Sequence, residues 1–130
     1  MRVFWAEDGA VTLETTLAVT VLVPLLFAIL QFGGALQRWA AQDAIAVQGA
    51  RQAAELGGDS TELRLAIDTS LRSSRIDPRE VTVSVEPSTV GWREPIRVRL
   101  QSEARIAIPF LVTTSLPLRS SAVARGELAR

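Results

Sequence analysis

Hydrophobic positions along this chain follow three different rhythms. Between residues 10 and 36 they are nearly continuous: the stretch TLAVTVLVPLLFAIL holds nothing more polar than threonine, and Glu14 is the one ionisable residue. A helix over residues 10–36 is about 40 Å long, enough to cross a hydrocarbon core of about 30 Å with some tilt. A secretory signal peptide has a shorter apolar core, about 7–15 residues, behind a basic start. Here the leader carries Arg2 against Glu7 and Asp8, so the pattern reads as a single N-terminal transmembrane helix. From residue 37 to 56 the rhythm becomes amphipathic and alanine-rich, with Ala40 and Ala44, and Ala46, Ala50 and Ala54, at helical i, i+4 spacing. Small residues there permit close packing on the chain's own sheet or, as the second reading, between subunits. Gly57 and Gly58 end that helix. Asp59 reads as the N-cap of a short helix over residues 59–73, with Glu62 three positions on and Leu63, Ala66, Ile67 and Leu71 at helical spacing.

After Asp77-Pro78 the period changes to two. Val81, Val83 and Val85 alternate with polar residues, then Ile96, Val98 and Leu100 alternate with Arg97, Arg99 and Gln101. One sheet face is core and the arginine face is solvated. Residues 105–118 are apolar but contain Pro109 and Pro117, so they read as a loop or broken strand with access to the membrane or a neighbour. A last strand is expected over residues 119–127. The fold class is therefore α+β: a long N-terminal transmembrane and amphipathic helix, one short helix and a three- to four-stranded antiparallel sheet within residues 80–127. The segment after Gly57 is too short for a generous core of its own, and no cysteine is present to staple it, so the long helix must complete the core.

Composition narrows the chemistry. All 14 basic residues are arginine, balanced by 14 acids, and lysine, histidine, cysteine and tyrosine are absent. The Ser-His, Cys-His and Ser-Lys nucleophile arrangements are thereby excluded, as are Schiff-base chemistry and the usual zinc or transition-metal ligand sets. The chain is not expected to be an enzyme or to carry a cofactor or metal. Zero net charge argues against a nucleic-acid partner, and no feature points to a small-molecule substrate. Asp59, Glu62 and Asp68 lack the loop glycine and alternating oxygens of a calcium site and read as caps and solvated acids. Arg2 and the α-amino group on one side of the span, against Arg38 and Arg51 on the other, leave the positive-inside rule undecided.

Glu14 is the residue that needs a reason. A carboxylate at the bilayer centre costs about 2.5–3.5 kcal/mol, so it requires a partner, the positive end of the helix dipole, or a position at headgroup depth. A cut after Gly9 would place a free amine at Ala10, five positions into whose new chain Glu14 falls. Pro24 interrupts the apolar run and reads as a helix kink or as a proline tolerated in lipid. Gly33 and Gly34 mark a second weak point, and Trp39 reads as an interfacial anchor.

The glycine-to-glutamate spacing resembles that of type IV pilin-like proteins. Within them, the string GAVTLE, the Pro24-containing apolar helix, QFGGAL and GARQAAELGG resemble the TadE-like pilus assembly proteins of tight-adherence (Flp-type) systems. The likeness covers residues 8–58 best. Thr15 stands where an aromatic residue often follows the glutamate, and the leader is acidic rather than basic. The resemblance implies a leader over residues 1–9, a prepilin peptidase cut between Gly9 and Ala10, and Glu14 answering the N-terminal amine of a neighbouring subunit. It further implies a transmembrane helix over 10–36 and an extracytoplasmic pilin-like domain over 37–130, with the helix continuing over 37–57. Implied partners are other pilin-like subunits, the pilus machinery, the peptidase and membrane lipid. The alternative is a membrane-anchored extracytoplasmic binding or scaffolding module that does not polymerise.

Overall fold

The computed structural model describes the backbone of residues 4–127 and the side chains of residues 9–127. The order of elements is α1 (Phe4–Leu56), α2 (Thr61–Ser73), a 3-10 turn (Pro78–Glu80), β1 (Thr82–Glu86), β2 (Pro95–Ile108) and β3 (Val112–Arg125). The strands form one antiparallel sheet in the order β1-β2-β3. This is the expected α+β layout.

Helix α1 dominates the molecule. Its 53 residues reach about 80 Å, running without interruption through Pro24, Gly33 and Gly34. One stripe along it faces the sheet: Pro24, Ala28, Gln31, Ala35, Arg38, Gln42, Ala46, Gly49 and Ala53 recur every three or four residues and are all buried or half-buried. In the distal half, Ile45, Ala46, Ala50, Ala53 and Ala54 form the main core with Leu63, Ile67 and Leu71 of α2 and with Ile96, Val98 and Leu100 of β2. Alanine and glycine bring the backbones close. A Cβ added at Gly49 would stand 3.2 Å from Ile67 Cδ1. Ala46, Ala50 and Ala54 thus pack on the chain's own sheet and second helix, whereas Ala40 and Ala44 are exposed and take no part in that core.

The sheet runs back along α1 towards its N-terminus. Ile96 and Leu100 sit over the distal core, whereas Ala104 and Leu118 cluster with Ala35, and Ile106 beyond them is again buried. Despite their two prolines, residues 105–118 are not a loop or broken strand but a continuation of the β2–β3 hairpin, paired from Arg105↔Ser115 to Ile108↔Val112. Pro109 lies in the turn between the strands, and Pro117 lies on β3, which has a ladder partner on one side alone and so tolerates a missing N–H. The last strand accordingly begins at Val112, not near residue 119, and the sheet has three strands.

Two caps fix the connection between the helices. Gly57 (φ 79°) and Gly58 (φ 137°) turn the chain, with Gly58 N donating to Ala53 O at 2.9 Å, a left-handed C-terminal cap. A side chain at Gly58 would meet the Ser88 carbonyl, because the following loop is tied there through Asp59 N to Ser88 O (2.8 Å) and Val90 N to Gly57 O (3.0 Å). The cap of α2 is Ser60, whose hydroxyl accepts from Leu63 N at 3.1 Å. Asp59, expected in that role, instead accepts two hydrogen bonds from Arg64 at 2.9 and 2.6 Å.

Candidate functional site

The proximal half of α1 is bare. Every side chain from residue 9 to 23 is exposed, among them Val11 (62%), Leu17 (60%) and Leu22 (59%). This is the one helix among the described residues long and apolar enough to cross a membrane: its most apolar stretch has mean hydropathy 2.2 and is 6% buried. Exposed leucines and valines around a full circumference have no counterpart in a water-facing surface helix, which shows an apolar stripe opposite a polar one.

The polar groups in this half are handled inside the helix. Thr15, Thr16 and Thr20 donate their hydroxyls to the carbonyls of Val11 (2.9 Å), Thr12 (2.8 Å) and Thr16 (2.7 Å). Such back-bonding presents methyl groups outward and leaves no hydroxyl to be desolvated. Glu14 has no such solution. Its side chain is exposed, and among the described residues it makes no hydrogen bond or ion pair. Because α1 starts at Phe4, Glu14 lies about 15 Å along the helix, beyond the first turn in which the dipole acts. The dipole compensation considered for Glu14 is therefore not available while α1 extends to Phe4. Gly9 and Ala10 are exposed within the same helix, with open space around Gly9. Glycine weakens a helix by about 1 kcal/mol relative to alanine, which favours local opening there.

Pro24 occupies the sheet-facing stripe, half-buried, in a helix that continues on both sides of it. Trp39, 40% exposed, also ties the helix to the sheet: its indole Nε1 donates to Arg119 O at 3.1 Å.

The sequence gives little warning of the polar clamp one turn further on. Gln42 is completely buried; its Nε2 donates to Leu100 O (2.9 Å) and Leu118 O (3.4 Å), while its Oε1 accepts from Ser102 Oγ (2.6 Å). One side chain thereby grips both long strands. The signal available in the sequence was a polar residue in line with Ala35 and Ala46. Beside the clamp, Arg38 donates to Glu80 at 2.8 Å, bordering an open cleft of about 710 Å³ lined also by Glu103, Arg105 and Arg119. Mixed charge and an open mouth give that cleft no preference for a ligand of either sign.

Further charged groups form surface pairs. Asp68 pairs with Arg72 at 2.7 Å, and Arg99 with Glu86 at 3.5 Å. Hydrogen bonding by Asp59, followed by its charge, raises the Arg64 pKa. Exposed pairs of this kind contribute about 0–1 kcal/mol each. No family model, curated protein or solved structure matches this chain.

Proposed function

We propose that this chain is a non-catalytic, pilin-like subunit, TadE-like in kind, serving the biogenesis of a tight-adherence type IV pilus. In this reading residues 10–36 anchor it in the membrane, the leader faces the cytoplasm and the sheet domain lies outside. It acts by helix-mediated assembly with other pilin-like subunits, in the membrane or in a filament. The observation that carries the reading is the division of α1: a bare apolar half holding one uncompensated carboxylate, Glu14, and a half buried under a small domain. The bare half needs lipid, and the carboxylate needs a partner that lipid cannot supply. A free amine at Ala10 of a neighbouring subunit has the required charge and place along the helix.

Processing tests the reading. When the chain is made beside its own prepilin peptidase, intact-mass analysis is expected to show loss of residues 1–9, with Ala10 as the new N-terminus. A mature membrane pool holding only full-length chain would remove the amine from the account. A membrane-anchored module that does not polymerise would then stand in its place.

A further inference from the structure

The tip of the β2–β3 hairpin has no task in that account. Phe110 is 98% exposed and Leu111 71%, and they are flanked by exposed Val112. From Ile106 to Leu118 the hairpin contains no ionisable residue. The turn is tight, with Leu111 N donating to Ile108 O at 3.2 Å. Phe110, its third residue, has φ 65°, a position at which glycine or asparagine is ordinarily found. A strained backbone that presents a large aromatic ring to solvent stabilises nothing within the chain.

The tip's place along α1 supplies the reason. Because β2 runs back along the helix, Leu100 lies beside Gln42 and Ala104 beside Ala35. Continuing at about 3.3 Å per strand residue and 1.5 Å per helix residue puts the turn beside roughly residues 24–28 of α1. The half-burial of Pro24 and Ala28, on the same stripe as Ala35, agrees. At that height the other faces of the helix carry exposed Leu22, Leu25, Leu26 and Ile29. Whatever solvent surrounds those side chains also surrounds Phe110.

We infer that the hairpin tip, residues 108–112, is a second membrane-contacting element, inserting Phe110 and Leu111 into the leaflet around α1 and so fixing how deep the helix sits. The inference rests on the membrane-spanning reading of α1. If the hydrocarbon covers residues 10–30, about 30 Å of helix, the tip enters by roughly 3–9 Å, an interfacial depth. Deeper entry is opposed by the unpaired outer edge of β3, whose backbone groups require water or headgroups. Thr113, Thr114 and Ser115, all exposed, then lie at headgroup level, and Arg105, opposite Ser115, is the first charge above it.

The chain has no cysteine, so single labels can be placed at will. Full-length chain carrying an environment-sensitive fluorophore at Phe110→Cys, Leu22→Cys or Thr61→Cys is reconstituted in phosphatidylcholine–phosphatidylglycerol vesicles. Spin-labelled lipids, with the quencher near the headgroups or near the chain ends, are then added. The expected result is a blue-shifted label at 110 quenched most by the shallow lipid, a label at 22 quenched by lipid, and an unquenched label at 61. Quenching at 22 with a label at 110 that behaves like the one at 61 overturns the inference and leaves the span standing. A blue shift at 110 without lipid quenching also overturns it, since the tip is then covered by another protein chain. Absence of quenching at 22 overturns the membrane reading itself, and the inference with it. A label at Leu111→Cys is expected to lose lipid quenching when Phe110→Gly is added, while the domain's melting temperature holds or rises because glycine relieves the positive φ; unchanged quenching contradicts the role given to Phe110.

Discussion

The two halves of α1 share one unbroken backbone and have opposite surfaces. Distal to Ala35, the helix buries a stripe of alanine, glycine and Gln42 beneath strands and a second helix, and its remaining faces carry Gln37, Gln48, Arg51 and Glu55. From residue 9 to 23, it has no polar face and no covering element among the described residues. The contrast shows that the helix is kept by different means at its two ends: tertiary packing in one, and in the other the need of backbone groups to be satisfied internally once water is excluded.

Removing a leucine packed against the distal half and one carried on the bare half gives the largest expected contrast. Leu100→Ala, at a fully buried site facing the distal half, is expected to cost about 2–5 kcal/mol and to lower the domain's melting temperature sharply. Leu22→Ala, on the bare half, is expected to leave that melting temperature unchanged in detergent. Equal losses from the two would mean that the halves are not separate in the way described.

The clamp sharpens the same contrast. Gln42→Ala removes the partner of Ser102 and of the Leu100 carbonyl, leaving buried polar groups unpaired at about 1–3 kcal/mol. Denaturant titration of Gln42→Leu with Ser102→Ala is expected to recover part of that loss, because the hydroxyl that lacked a partner is gone. No recovery would assign the loss to packing alone.

At the junction of the halves, Gly33→Ala and Gly34→Ala are each expected to stabilise the helix by about 0.5–1 kcal/mol, measured by thermal melting. Nothing lies within 4 Å of a Cβ at either position. Destabilisation there would reveal a close neighbour in the environment of the isolated chain.

What the sequence made legible follows from how local each signal is. The apolar run around Leu22, the glycine stop at Gly57 and the alternation from Ile96 to Leu100 depend on near neighbours, and all recur in the structure. The hairpin beyond Arg105 depended on the place of Pro117 in the sheet, and an edge position is decided by which strands exist elsewhere. Trp39 carried an interfacial residue type, but its indole found the Arg119 carbonyl, 80 residues away in the chain. Gln42 is the same case: its partners lie 58, 60 and 76 positions distant, beyond the reach of periodicity. The cap moved by a single residue because Asp59 had Arg64 one turn on, leaving Ser60 to bind Leu63 N. For the candidate site, Gly9, Glu14 and Pro24 were visible as residue types against an apolar background. The loss of the dipole explanation for Glu14 became visible only with the start of α1 at Phe4.

The central claim is that the carboxylate in the bare half acts between subunits. Its most direct test is disulfide crosslinking, in native membranes, of Ala18→Cys chains with partner pilins that carry an introduced cysteine in their own membrane helices, comparing Glu14 with Glu14→Gln at matched expression. Removing the charge relieves insertion of the single helix, so the variant is expected to reach the membrane as fully as the parent while its crosslinked fraction falls severalfold. Crosslinking at the parental level in Glu14→Gln would contradict the claim and return Glu14 to the role of an acid at headgroup depth.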